Sequence, residues 1–436
     1  MKRIFTKDVP NKEGTKVMLA GWIRKIRGSD NLRFIILRDM TGELQIILKK
    51  GSVKEELLES TKDLTEESVI SVEGTVKINE QAPGGLEIIP DKLVVLSKAS
   101  VPLPIDFSGK VDTGLDKRLD WRCIDLRNPK RAAIIKIQSK FVEGVQEFLS
   151  KNDFIFLFTP CIMSGASEGG SEVFPIKYFD KKAFLRQDPQ LHRQLAIAAG
   201  FDKIVDIGPS WRAELSHTTR HLCEHRGIAV EIGFLKDETD TMRLEEDVII
   251  AGLNRIKKDC KNELEKIGKK IRIPDTPFPE IRFPEIYDIL EKLGKKIEFG
   301  KDYDTEGEKL LGDYVKKKFG SDFFFVNRFP FAEKPFYVMK VDEEPQWARS
   351  VDLIFKGVEQ SSGGQREHRY EKIVRQIKEK GLDMNTFKWF VEFFKYGVPP
   401  HGGFNLGIER FIMQLLDLDN IREVVLFPRD PERLVP

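Results

Sequence analysis

The chain has 436 residues, with 72 Lys and Arg against 70 Asp and Glu and a formal net charge of +2. That length allows two or three domains with cores of their own, and the near-zero charge excludes a polybasic nucleic-acid coat while leaving room for a local basic surface. Cys123, Cys161, Cys223 and Cys260 lie far apart without CxxC spacing, the N-terminus has no apolar signal core and no run reaches membrane-spanning length. The expectation is therefore a soluble cytoplasmic protein in a reducing compartment, with no disulfide framework.

Residues 17–100 read as β structure. Runs at 17–23, 32–39, 44–48, 69–76 and 86–89 give five short strands, with a helical stretch near 52–60 between the third and fourth. That order predicts an OB barrel over residues 1–104, closed by Pro102 and Pro104. Residues 105–130 read as a polar hinge. From 131 to 436 a second domain is expected. It opens with an amphipathic helix at 132–150, carrying Ile134, Ile137, Phe141, Val145, Phe148 and Leu149, and a strand at 154–158 that stops at Pro160. Strands are expected around 173–178, 204–211, 228–235, 323–327, 336–341 and 350–358. Helices are expected at 237–258, 369–380 and 385–395, with a lysine-rich stretch running to about 275. Strands at the centre with helices outside predict an α+β fold on an antiparallel sheet, in preference to a doubly wound parallel one.

The segment from Gly402 to Arg410 combines closely packing glycines with an acid–arginine pair at the start of an apolar helix. Glycines admit a ligand to the backbone, a helix start suits an anion, and a fixed arginine can cover a purine or clamp a phosphate. Upstream, Trp211-Arg212-Ala213-Glu214 and Arg220-His221-Leu222 form a second arginine–acid cluster. No GxxxxGK[ST] occurs, so the expected nucleotide site is built from arginines and not from a phosphate loop.

These segments, in this order, resemble motifs 1, 2 and 3 of the class II aminoacyl-tRNA synthetases. Glu168-Gly169-Gly170, Asp188-Pro189-Gln190-Leu191, Arg212-Ala213-Glu214, Ser361 to Arg366 and Pro399 to Gly403 narrow the resemblance to the archaeal and eukaryotic type of aspartyl-tRNA synthetase. It runs from about residue 14 to the end. The resemblance implies a ligase that activates L-aspartate with ATP and transfers it to the 3′ end of tRNA-Asp, as a homodimer. Whether tRNA-Asn is a second acceptor stays open. It implies that Arg212 bridges the α-phosphate and the amino-acid carboxylate, and that Arg410 holds the adenine and terminal phosphate. Ala213, Glu214, Arg220, His221, Leu222, His225, Glu359, Gly407, Ile408 and Glu409 complete the implied ATP site. Asp352, Glu359 and Ser362 are the implied Mg²⁺ ligands, two hard carboxylates on one strand seven residues apart, joined by phosphates and water. Arg366 is implied to grip the side-chain carboxylate of aspartate. Glu168, Asp188, Gln190, Arg193 and Ser362 are the further substrate residues, and Phe34, Gln45 and Glu87 are the implied anticodon contacts on the barrel.

The chain departs from the family pattern at several of these positions. A usual serine is Asp188, a lysine is Arg193, an adenine-stacking Phe is His225, an acid is Ala229, a Phe is Trp211, and a motif 3 glycine is Asn405. The loss at 229 and the gain at 188 read as one carboxylate relocated, facing the substrate α-ammonium beside Glu168. The alternative is a salt bridge from Asp188 to Arg186 or Arg193. His217, His221 and His225 are spaced by four, which would suit zinc on a helix, but motif 2 predicts a loop and strand there. Three rival functions share much of the pattern. Against an asparaginyl enzyme stand Arg193 and Arg366, cations left unmatched by an amide. The N-terminal barrel argues against a tRNA-independent asparagine synthetase. The presence of Arg212, Glu359 and Arg410 argues against a non-catalytic tRNA-binding paralogue.

Overall fold

The computed structural model describes residues 1–165, 172–214 and 218–436. The chain divides into two units, Met1–Pro104 and Ile105–Pro436.

The first unit is a closed five-stranded barrel. Its strands β1 (Lys16–Gly28), β2 (Leu32–Arg38), β3 (Glu43–Lys49), β4 (Val69–Ile78) and β5 (Leu86–Ser97) close in the order β1-β2-β3-β5-β4. Side chains alternate across each strand, so Leu19, Ile23, Ile35, Leu37, Ile46, Leu48, Ile70, Val72 and Ile88 fill the interior. The expected helix between β3 and β4 is Glu55–Glu59.

In the second unit the strands are β6 (Ile155–Phe156), β7 (Ile162–Met163), β8 (Pro175–Tyr178), β9 (Lys181–Leu185), β10 (Lys203–Trp211), β11 (Glu224–Gly233), β12 (Glu280–Arg282), β13 (Phe323–Asn327), β14 (Ser350–Phe355), β15 (Glu359–Arg366) and β16 (His401–Gly407). Eight of them form one sheet in the order β12-β13-β14-β15-β16-β11-β10-β6, antiparallel except for the outermost pair at each end. Strands β7, β9 and β8 make a smaller sheet. Helices Pro129–Lys151 and Glu238–Asp259 cover one face of the large sheet. Pro129 opens the first helix, whose cap is Asn128 accepting from Lys130 N at 2.8 Å, and Asp237 caps the second through Thr239 N at 2.9 Å. The two helices approach closely because Gly252 lies under the Phe141 ring, where any side chain would collide. Phe141 then stacks on Phe411 at 4.7 Å.

Three expectations change. Residues 105–130 are part of the second unit and carry helices Leu115–Asp120 and Arg122–Asp125. Their polarity is not that of a solvated hinge. Arg122 and Asp125 are buried and paired at 2.7 Å, and Arg122 also donates to the Glu423 and Val425 carbonyls at 2.9 Å, tying this stretch to the C-terminal segment. The run 350–358 is not one strand. Lys356 and Gly357, both at positive φ, fold it back so that Asp352 and Glu359 sit on adjacent antiparallel strands. Residues 336–341 make isolated bridges only, Val338 to Arg366 and Lys340 to Ala348.

Beneath the sheet, Ser361 donates a hydrogen bond to Glu245 of the covering helix. Burial, helped by Asp352 and Glu246, pushes the Glu245 carboxyl up to about 8. The folded state therefore keeps a proton that the unfolded chain releases near pH 4.5. The resulting stability is fully present below that pH and is lost as pH rises through about 8, at about 1.4 kcal/mol per pH unit. Glu245→Gln should unfold at a higher temperature than the parent at pH 8.5, with the gap closing toward pH 5. Parallel Tm curves across that range would refute a protonated Glu245.

Candidate active site

Strand alternation makes the uncovered face of the large sheet the floor of a cavity of about 670 Å³. Val351, Leu353, Phe404, Leu406, Ile228 and Val230 point into the core under the helices. Their neighbours Asp352, Ser362, Asn405, Ala229 and Asp206 lie side by side across β14, β15, β16, β11 and β10 on the other face. Of the residues expected at a site, Asp188, Arg212, Glu214, Arg220, His221, Leu222, His225, Asp352, Glu359, Ser362, Arg366, Gly407, Glu409 and Arg410 all line this cavity. Gln190 and Arg193 lie behind its wall, on helix Gln190–Ala198. Ala213 is not among the lining residues, its backbone N–H donating to the Glu172 carbonyl at 3.1 Å, and the Ile408 side chain is in the core. Glu168 lies outside the described residues, as does His217. His225 is on β11, so these histidines do not share a helix.

At one end the cavity is cationic. Arg212 follows β10, and Arg410 stands on helix Ile408–Leu415, donating to the Glu359 carbonyl at 3.1 Å and meeting its carboxylate at 3.4 Å. Burial and the nearby charges of Arg212 and Arg410 push His225 down to about 4, so it presents a neutral ring at physiological pH. His221 sits 2.6 Å from Thr218 Oγ1 and 3.5 Å from Glu214. Glu409 is buried, accepting from Arg226 N at 3.0 Å.

An acidic pair lies mid-floor. Asp352 Oδ2 accepts from Lys334 at 2.9 Å, while its buried Oδ1 has no hydrogen-bond partner among the described residues. Burial first, then Asp352, raises the Glu359 pKa, and the Glu359 backbone N–H is held by Glu308. Glu308 is itself pushed up to about 7 by burial and by Glu359. Lys334 and Glu308 escaped the sequence reading, because both arrive from segments with no motif of their own.

The opposite end is a network of charged side chains. Arg366 donates through Nε to Glu231 at 3.1 Å, and through Nη2 to Gln190 Oε1 and the Gly403 carbonyl, each at 3.1 Å. Gln190 Nε2 donates to Glu231 at 3.0 Å. Arg193 meets Asp188 in a bidentate pair at 2.6 and 3.0 Å, and reaches Gln190 Oε1 at 2.7 Å. The Asp188 salt bridge foreseen as the alternative thus forms, with Arg193. Glu231 is fully buried and was not singled out from sequence. Its place depends on pairing with Gly403 across β11 and β16, since a side chain at 403 would strike the Val230 carbonyl and crowd the Glu231 carboxylate.

On the barrel, Phe34 is half-buried and stays out of the core formed by Ile35 and Leu37. Phe34, Gln45 and Glu87 share the outer face of three neighbouring strands. Gln45 donates to Glu87 at 3.0 Å, as does Asn79.

Comparison with known proteins decides the family. The tRNA synthetases class II (D, K and N) family matches residues 114–431, and the OB-fold nucleic acid binding domain matches residues 17–96. The chain belongs to the class II tRNA synthetases. It is 47% identical to the aspartate–tRNA(Asp) ligase of Pyrococcus horikoshii over 97% of both chains. It is 44% identical to the aspartate–tRNA(Asp/Asn) ligase of Methanopyrus kandleri over the whole of both. Among solved structures, the asparaginyl-tRNA synthetase of Pyrococcus horikoshii complexed with asparaginyl-adenylate superposes with a TM-score of 0.92. Identity there is 34%, with full coverage of both chains. The aspartyl tRNA synthetase of Entamoeba histolytica gives 0.87 at 30% identity, covering 100% of this chain and 93% of that one. No helix among the described residues of this synthetase is long and apolar enough to cross a membrane.

Proposed function

We propose that this synthetase is an aspartate–tRNA ligase that forms aspartyl-adenylate from L-aspartate and ATP and passes the aspartyl group to tRNA-Asp. The observation that carries the reading is Arg366, a buried guanidinium fixed by Glu231, Gln190 and the Gly403 carbonyl at the wall of the cavity. Such a fixed, buried positive charge suits a side-chain carboxylate and is poorly matched by an amide.

Activation places growing negative charge on phosphate oxygens, so most of the rate comes from positioning and fixed positive charge. Arg212 and Arg410 are assigned that role at the α-phosphate and the terminal phosphate. The neutral His225 ring is assigned to the adenine face, with Glu214, Arg220, His221 and Glu409 around the nucleotide. Asp352, Glu359 and Ser362 are assigned to Mg²⁺. The orphaned Asp352 Oδ1 beside a second carboxylate fits a hard cation, and no group of three or more His, Cys, Asp or Glu side chains among the described residues is placed to hold an ion alone. Phosphates and water would complete its shell, and the bound ion would neutralise phosphate charge. The outer face carrying Phe34, Gln45 and Glu87 is assigned to unpaired anticodon bases, by stacking and edge recognition.

Aminoacylation with purified tRNA-Asp and tRNA-Asn, offering aspartate and asparagine separately, tests the whole reading. Aspartate should be joined to tRNA-Asp, and the tRNA-Asn arm reports a second acceptor. Charging with asparagine alone would overturn the proposal.

We also propose a homodimer with an isologous interface. Around Pro160 the second unit exposes Ile155, Phe158 and Ile162, with Phe158 97% exposed. An apolar strip of this kind is costly in water and is normally covered. Sedimentation at micromolar concentration should give a species of twice the chain mass, and a monomer there would refute it.

A further inference from the structure

The amino-acid end of the cavity has more cations than it offers to a ligand. Arg193 is 1% exposed and is not part of the cavity wall, whereas Asp188 and Arg366 are. Arg193 Nη1 is engaged by Asp188 Oδ1, and Nη2 by both Asp188 Oδ2 and Gln190 Oε1. Its Nε is buried without a hydrogen bond among the described residues and lies 4.0 Å from Glu231. Arg366 is used differently. Its Nε and Nη2 are held by Glu231, Gln190 and Gly403, and the residue lines the cavity. The charges of Arg193, Arg366, Asp188 and Glu231 sum to zero.

We propose that Asp188 is a specificity-determining positioning residue. By closing the outer nitrogens of Arg193 it withdraws that cation from the substrate and leaves the side-chain carboxylate to be read by Arg366. The inference rests on the aspartate reading above. Its consequence is that, of these two arginines, an incoming side-chain carboxylate meets Arg366 alone, so the advantage of aspartate over asparagine is smaller than two open cations would provide. Freeing Arg193 should therefore sharpen selection. One additional charge-assisted hydrogen bond to a carboxylate is worth roughly a tenfold change in binding.

Pyrophosphate exchange with aspartate and with asparagine tests this on the parent, Asp188→Ser, Asp188→Asn and the double variant Asp188→Ser with Arg193→Gln. The single variants should lower the aspartate KM by about tenfold, with kcat and the asparagine KM little changed, and the double variant should lose the gain. Asp188→Asn keeps the shape of the side chain and carries the test if Asp188→Ser does not fold. A rise in aspartate KM in both single variants would overturn the proposal, because Asp188 would then be holding the substrate α-ammonium directly. A gain that persists without Arg193 would overturn it too. A parent enzyme that activates asparagine and not aspartate would instead sink the functional reading, and this inference with it.

Discussion

Arg366→Lys should lower kcat/KM for aspartate by about 30- to 1000-fold, equivalent to about 2–4 kcal/mol, while the ATP KM changes little. The arginine is 5% exposed, and its planar guanidinium serves Glu231, Gln190 and the Gly403 carbonyl at once while lining the cavity. A lysine ammonium carries its donors on one atom, so it cannot hold Glu231 and Gln190 and also serve the cavity as a fixed charge. Positive charge is retained, so Glu231 is not stranded as it would be by a neutral substitution. Pyrophosphate exchange at varied aspartate and varied ATP separates the two ends of the cavity. Equal rises in both KM values would mean that the substitution had disturbed the sheet and not the carboxylate pocket.

Glu359→Gln should slow adenylate formation by at least tenfold while tRNA affinity stays within about twofold. Glu359 sits where the β14–β15 hairpin brings it beside Asp352, and burial with that neighbouring charge raises its pKa. A carboxylate whose ionisation is disfavoured by burial and a neighbouring charge is stabilised when a divalent cation arrives beside it. The amide replaces a charged oxygen ligand with a neutral one and removes half of the pair's charge. The variant should also need more Mg²⁺ for half-maximal exchange, which is the more discriminating measurement. Arg410 meets Glu359 through both a carbonyl and a carboxylate oxygen, so the backbone contact at 3.1 Å should survive and keep the arginine in place. Equal losses in exchange and in tRNA binding would assign Glu359 a structural role.

Much of this protein is determined by local sequence. The barrel follows from the alternation that puts Ile35 and Leu37 inward and Phe34 outward. The sheet floor follows likewise from Leu353 and Phe404 alternating with Asp352 and Asn405. Arg212, Arg410 and Arg366 were legible because each is embedded in a motif with closely spaced glycine, acid or arginine partners. Pairings between distant segments were not legible. Asp352 and Glu359 read as one strand, since only the backbone turn at Lys356 and Gly357 reveals the hairpin. Residues 105–130 read as solvated because their charges find partners some 300 positions away, as Arg122 does at Glu423. Glu231 is an ordinary strand acid until β16 pairs beside it and the missing side chain at Gly403 leaves space for its carboxylate. Asp188 shows the same limit at short range. Its sequence neighbours allow an acid facing either the substrate or Arg193, and the geometry at the start of helix Gln190–Ala198 gives Arg193 both carboxylate oxygens. Side-chain alternation and local motifs are written into neighbouring residues, whereas ion-pair partners are chosen by strand register and by the packing of one element on another.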